Sequence, residues 1–99
     1  MSGKFTITFS AFAVSDLDDL LRHYRAERVP ETGERLVAEI VSQVERLADC
    51  HESGRIVPEF NLSYLREIIY PPFRITYRCY KKKVRVIRVW RSERTLTLP

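Results

Sequence analysis

The spacing of apolar residues switches twice along the chain, from strand-like alternation to helical spacing and back, and few folds accommodate that order. Phe5, Ile7 and Phe9 alternate with Thr6, Thr8 and Ser10, as in a half-buried strand. From Ala13 onward Leu17, Leu20, Leu21 and Tyr24 recur at helical spacing, while Asp16, Asp18, Asp19, Arg22 and Arg25 fall mostly on the other face. The three acids lie near the N-terminal end, where the helix dipole favours them, and a helix over about Ala13 to Arg28 is expected. Val29-Pro30 breaks it, because a residue before proline is pushed out of the α region and Pro30 suits the first turn of a new helix. Leu36, Val37, Ile40, Val41, Val44, Leu47 and Ala48 then form a wide apolar face from roughly Glu31 to Asp49. So short a connection makes the two helices antiparallel neighbours. Gly33 weakens the first turn of the second helix by about 1 kcal/mol relative to Ala.

Alternation returns after a loop. Residues 50–63 contain His51, Ser53, Gly54, Pro58, Asn61 and Ser63, with Ile56, Val57 and Phe60 available to pin the loop to a core. Leu65–Tyr70, Phe73–Tyr80 and Lys83–Arg91 read as three strands of a meander, turned at Pro71-Pro72 and Lys81-Lys82. Phe73, Ile75, Tyr77 and Cys79 share one face, with Arg74, Thr76, Arg78 and Tyr80 on the other. Along the last strand Val84, Val86, Arg88 and Trp90 oppose Arg85, Ile87, Val89 and Arg91. The predicted order is β-α-α-β-β-β: an antiparallel sheet with a helical hairpin packed on one face, an α+β domain. At 99 residues with 44% apolar content, one domain spanning residues 1–99 is expected.

Charge divides the chain. Residues 1–52 carry six basic and ten acidic side chains, and residues 53–99 carry eleven basic and three acidic, so the net charge of +4 conceals a strongly positive second half. The partner that implies is polyanionic or carboxylate-rich. Cys50 and Cys79 suit neither a disulfide framework nor a metal site, which favours a reducing compartment. Thr6 and Thr8 interrupt the only apolar stretch that could imitate a signal peptide, and no window approaches the ~20 apolar residues of a membrane span. A cytoplasmic protein with no membrane partner is expected.

Metal, phosphate-loop, dinucleotide and nucleophile–base signatures are missing, so the residues point to no metal and no cofactor. His23 and His51, the only imidazoles, carry no catalytic pattern. The informative set is an arginine array, Arg55, Arg66, Arg74, Arg78, Arg85, Arg88, Arg91 and Arg94, which successive strands ~4.8 Å apart gather into one patch. A solvated sheet face that discourages edge aggregation is the plain alternative for any one of them. Tyr70, Tyr77, Tyr80 and Trp90 interleave with the array, as stacking surfaces for bases or, more ordinarily, as core.

Four segments carry a family resemblance: Gly54-Arg55-Ile56-Val57-Pro58-Glu59-Phe60, Leu65-Arg66-Glu67-Ile68-Ile69-Tyr70, Pro72-Phe73-Arg74-Ile75-Thr76-Tyr77-Arg78 and Val86-Ile87-Arg88-Val89-Trp90-Arg91. With the helix-one run from Ala13 to Tyr24, they make the chain resemble the ParE/RelE toxin superfamily of bacterial toxin–antitoxin pairs. RelE-like members cut messenger RNA in the ribosome, which calls for basic residues on the second strand, an Arg on the third, and basic and Tyr groups near the C-terminus. Arg74 fits, but Leu65 and Glu67 stand at the second-strand positions, Arg91 stands where many members carry His, and Thr95-Leu96-Thr97-Leu98-Pro99 holds no tyrosine. ParE-like members, which poison DNA gyrase by binding, are resembled more closely in Val57-Pro58-Glu59-Phe60 and Arg66-Glu67, although Arg66-Glu67 reads equally as a structural cross-strand pair.

The resemblance therefore implies a ParE-type toxin, with Arg66, Arg74, Arg78, Arg88, Arg91 and Arg94 as target-binding residues. Its implied partners are gyrase and a cognate antitoxin through which alone operator DNA is met. The alternatives are a ribosome-dependent endoribonuclease acting on ribosome-bound messenger RNA, and a detoxified binder.

Overall fold

The computed structural model describes residues 4–91. Strand β1 (Thr6–Phe9) leads into helices α1 (Ala11–Ala26) and α2 (Pro30–Glu45), and a single 3-10 turn, Arg46–Ala48, follows. Strands β2 (Arg55–Ile56), β3 (Leu65–Tyr70), β4 (Phe73–Tyr80) and β5 (Lys83–Arg91) complete a five-stranded sheet in the order β1-β5-β4-β3-β2. This is the expected α+β class, two helices on one face of a sheet. Among the described residues no helix is long and apolar enough to cross a membrane.

Three details differ from the sequence-based expectation. The sheet is mixed: β1 runs parallel to β5, while every other pair is antiparallel. Strand β2 supplies the reason, since its two residues lie inside the expected loop and add one reversal of direction between the helices and the meander. Too short to show any alternation, β2 is marked by its register alone, Arg55 opposite Glu67 and Ile56 opposite Arg66.

The second difference is at the helix ends. Ser10 is not the last residue of a strand but the N-cap of α1: its Oγ accepts from Ala13 N at 3.0 Å and donates to the Ile87 carbonyl at 2.7 Å. That moves the start of α1 to Ala11 and leaves no acid in its first turn, so the dipole is not what Asp16 serves. The helix stops at Ala26, and Arg28 turns the chain with a φ of 65°. Pro30 occupies the first turn of α2, as expected. Gly33 has a packing role as well as a propensity cost, because a Cβ there would sit 3.0 Å from Tyr24 Cβ across the helical hairpin.

The third is a bulge. The β4–β5 register slips between Thr76 and Tyr77, which face Arg88 and Val86 and leave Ile87 as the extra residue. The slip changes the phase of β5, so Val89 joins Val84 and Val86 on the helix side, and Arg88 and Trp90 share the outer face with Arg74 and Thr76. The main core consists of Ala13, Leu20, Ile40 and Val44 from the helices against Phe73, Ile75, Val86 and Val89 from the sheet. A smaller cluster on the outer face joins Trp90, Leu65 and Val57, with Ile87 against it. Val57 pins the loop as expected, whereas Ile56 and Phe60 stay exposed.

Candidate functional site

On the outer face, β2, β3 and β4 build a charge network around a carboxylate with no solvent exposure. Glu67 accepts from Arg55 Nε at 2.6 Å and from Arg74 Nε at 2.7 Å, one arginine to each oxygen. Arg74 donates its two remaining nitrogens to Glu59, 2.9 Å each. A carboxylate removed from water is tolerable only with such partners. The Arg74 hydrogen bonds hold the Glu59 carboxyl at about 2, below its ordinary 4.5, and the same bonds push the Arg74 guanidinium further up.

The network straps the 50–63 loop onto the sheet, and the tyrosine below it completes the strap. Tyr77 Oη accepts from Gly54 N at 3.0 Å and donates to the His51 carbonyl at 2.9 Å, and Arg66 Nη1 donates to the Gly54 carbonyl at 3.0 Å. Burial pushes the Tyr77 phenol up to about 12. Gly54 is required by close approach: a Cβ would lie 2.5 Å from Tyr77 Oη and 2.6 Å from the Glu67 carbonyl oxygen. His51 itself stacks its ring on Phe5 with centroids 3.8 Å apart, and His23 sits edge-on to Tyr24.

A second latch joins α1 to β5. Strand β1 ends at Phe9, opposite Val86, and Asp16 of α1 reaches the edge of β5 beyond that point. Its carboxylate accepts from Val89 N at 2.9 Å and from Arg88 Nε and Nη2 at 2.8 and 2.9 Å. The Asp16 bonds raise the affinity of the Arg88 guanidinium for its proton, and that guanidinium also lies 4.1 Å from the Trp90 ring centroid. Between α1 and the end of β5 runs a groove of about 460 Å³ with Leu20, Tyr24, Phe73 and Val89 in its lining and Asp19 and His23 from the helix.

The third feature is an exposed cationic field where β1, β5 and β4 meet. Arg78 stands directly opposite Arg85, and Lys83 opposite Tyr80. Lys81 and Lys82, with φ of 49° and 60°, form a two-residue turn of the kind that suits strand twist. Arg85 Nη1 lies 3.4 Å from Thr8 Oγ1, and the Arg78 guanidinium lies 5.6 Å above the Tyr64 ring.

The six arginines expected to bind a target thus divide. Arg74 and Arg88 are neutralised within the fold by Glu67, Glu59 and Asp16, which corrects the expectation of one accessible array. Alternation put both on the outer face, but the strapped loop covers that face at Arg74, and α1 reaches round the sheet edge at Arg88. Arg66 is half-buried against the Gly54 and Ser63 carbonyls. Arg78 is exposed, and Arg91 is exposed at the end of β5 with its guanidinium 5.8 Å from the Phe73 ring centroid. Arg94 lies outside the described residues. Arg66 and Glu67 do not pair with each other, since neighbours on a strand point to opposite faces. The sequence reading omitted Lys83 from the array and Arg85 from the binding set, although the two-residue turn at Lys81-Lys82 fixes the register that sets Arg85 opposite Arg78.

Residues 7–96 match the model of the ParE toxin of the type II toxin–antitoxin system parDE. The chain belongs to the ParE toxin family. The ParE assignment agrees with structural likeness to a chain of the chromosomal ParDE toxin–antitoxin system from P. aeruginosa. That chain is 26% identical with a TM-score of 0.77, over 93% of this chain and 100% of that one. A chain of the RelBE2 toxin–antitoxin complex from Mycobacterium tuberculosis shares the fold, with a TM-score of 0.66 at 17% identity over 94% of this chain and 98% of that one. No curated protein matches the sequence.

Proposed function

We propose that this ParE-type toxin arrests growth by binding and poisoning DNA gyrase, and that a cognate antitoxin neutralises it in the cytoplasm. The observation that carries the reading is the family match across residues 7–96. The geometry supports a binding activity over a ribonuclease. At the two positions where RelE-type cleavage calls for basic groups, Leu65 is core and Glu67 is a buried carboxylate held by two arginines. Both imidazoles are engaged in ring contacts.

In this reading Arg66, Arg78, Arg91 and Arg94 contact the target directly, and Arg74 and Arg88 act through the fold by holding the loop and α1. The groove between α1 and β5, apolar below and charged at its rim, fits an amphipathic antitoxin segment. Inducing the chain alone, with growth, plasmid supercoiling and messenger RNA integrity followed in one culture, tests the proposal. Growth arrest with relaxed or broken plasmid and intact message is expected, and arrest with message cut at ribosomes would replace gyrase by the ribosome. Arg66→Glu/Arg78→Glu/Arg91→Glu is the informative charge reversal, because Glu at 74 or 88 would set carboxylates against Glu67, Glu59 or Asp16 and break the fold instead.

A further inference from the structure

We infer that the exposed face shared by β1, β5 and β4 binds the phosphate backbone of duplex DNA without regard to sequence. The contact belongs to the toxin itself, apart from any operator contact made by an antitoxin, and does not depend on which enzyme the toxin arrests.

Charge on this face is uncompensated. Arg78 and Arg85 oppose each other directly across the β4–β5 ladder, and like charges so placed destabilise a sheet. Strands β1, β4 and β5 contain no Asp or Glu that could relieve them. Among the described residues, none of Arg78, Lys81, Lys82, Lys83 and Arg85 has a carboxylate within 4.0 Å, whereas Arg55 and Arg88 each have one and Arg74 has two. The fold neutralises the arginines that hold it together and leaves this cluster to an anion from outside.

Spacing and surroundings select the anion. Lys83 and Arg85 project from the same side of β5 about 6.8 Å apart, the rise of roughly two nucleotides along one strand of B-form DNA. An acidic peptide that added a strand would have to use the outer edge of β1, four residues long and without Lys or Arg, because β4 and, along Lys83–Val86, β5 are hydrogen-bonded to neighbours on both sides. An acidic amphipathic helix would need an apolar floor, and the neighbouring strand offers exposed Thr6 and Thr8. Single-stranded nucleic acid would stack its bases on open aromatic planes, and here a cation lies over one face of each exposed tyrosine, Arg78 5.6 Å from the Tyr64 ring centroid and Lys81 5.4 Å from that of Tyr80. What remains is a set of cationic tips beside hydroxyls, suited to phosphates on a duplex surface.

The test is anisotropy of a labelled random-sequence duplex of about 20 base pairs, titrated with the purified full chain over a range of KCl. The logarithm of affinity is expected to fall linearly with the logarithm of salt. Arg78→Gln/Arg85→Gln should lower the magnitude of that slope by about 2 and weaken binding roughly tenfold near 0.1 M salt. Arg25→Gln/Arg35→Gln, which removes equal charge from exposed positions on the helices, should stay within about twofold of wild type. Circular dichroism checks that both remain folded, and Lys81→Gln/Lys83→Gln carries the same prediction if the first pair does not fold. Equal losses in the helix-side and sheet-side variants would reduce the effect to bulk charge and overturn the inference. So would unchanged binding by the sheet-side variants, or tighter binding of a single-stranded RNA or a polyglutamate of matched charge.

Discussion

Arg74 and Glu67 are buried against each other, and removing Arg74 leaves the dry Glu67 carboxylate with Arg55 alone while it releases Glu59 from the strap. Arg74→Ala is expected to cost about 3–5 kcal/mol in urea unfolding, and a loss below about 1 kcal/mol would mean that the loop is not held by this network. Glu59 gives the strap a pH dependence. Its carboxyl titrates near 4.5 when unfolded but is held at about 2 when folded, so the unfolded state binds the extra proton between those values. The stability from this pair is fully present above about pH 4.5 and is lost as pH falls toward 2. Glu59→Gln should therefore be less stable than wild type at neutral pH, with the gap closing over that window; a constant gap would show that the carboxylate contributes no proton-linked stability. Gly54→Ala, which brings a methyl against Tyr77 Oη and the Glu67 carbonyl, is expected to lower stability by about 1–3 kcal/mol, read from the same unfolding curves. At this scale the sequence was a partial guide. It marked Arg74 and Arg88 as outward-pointing, but Glu67 meets Arg74 across a hairpin 7 residues away, Glu59 meets it from a loop 15 away, and Asp16 meets Arg88 from 72 away, and no local periodicity encodes those meetings.

Elements were more legible than their joints. Helical spacing identified both helices and alternation identified the three long strands, because those signals persist over whole faces of an element. The bulge at Ile87, the two-residue strand β2 and the cap at Ser10 escaped, each being a feature of one or two residues whose reason lies in a partner strand or a following helix. Those joints carry testable energy. Ser10→Ala removes the acceptor for Ala13 N and the donor to the Ile87 carbonyl together, and a loss of about 1–2 kcal/mol is expected in thermal or urea unfolding. Asp16→Ala uncovers Val89 N–H and leaves Arg88 without its carboxylate. Faster amide exchange at Val89 and along the first turns of α1 is the expected result, and unchanged protection there would place the latch elsewhere.

Across the whole molecule, the acidic first half and basic second half of the chain became two faces: helices on one side, and on the other a sheet whose cations are partly bound up and partly displayed. The polyanionic partner that the charge imbalance implies is a proposal, and the imbalance itself was legible in the sequence. Which cations were available was not, since that depends on Glu67, Glu59 and Asp16 arriving from elsewhere. Membership of the ParE toxin family rests on nearly the full chain, and the proposal drawn from it is that the folded domain works by docking on gyrase. Supercoiling by purified DNA gyrase in the presence of the purified chain measures that most directly. Dose-dependent loss of supercoiling with accumulation of enzyme-linked DNA breaks, reversed by the cognate antitoxin, is expected. Undiminished supercoiling at toxin in large excess, with no breaks, would contradict it.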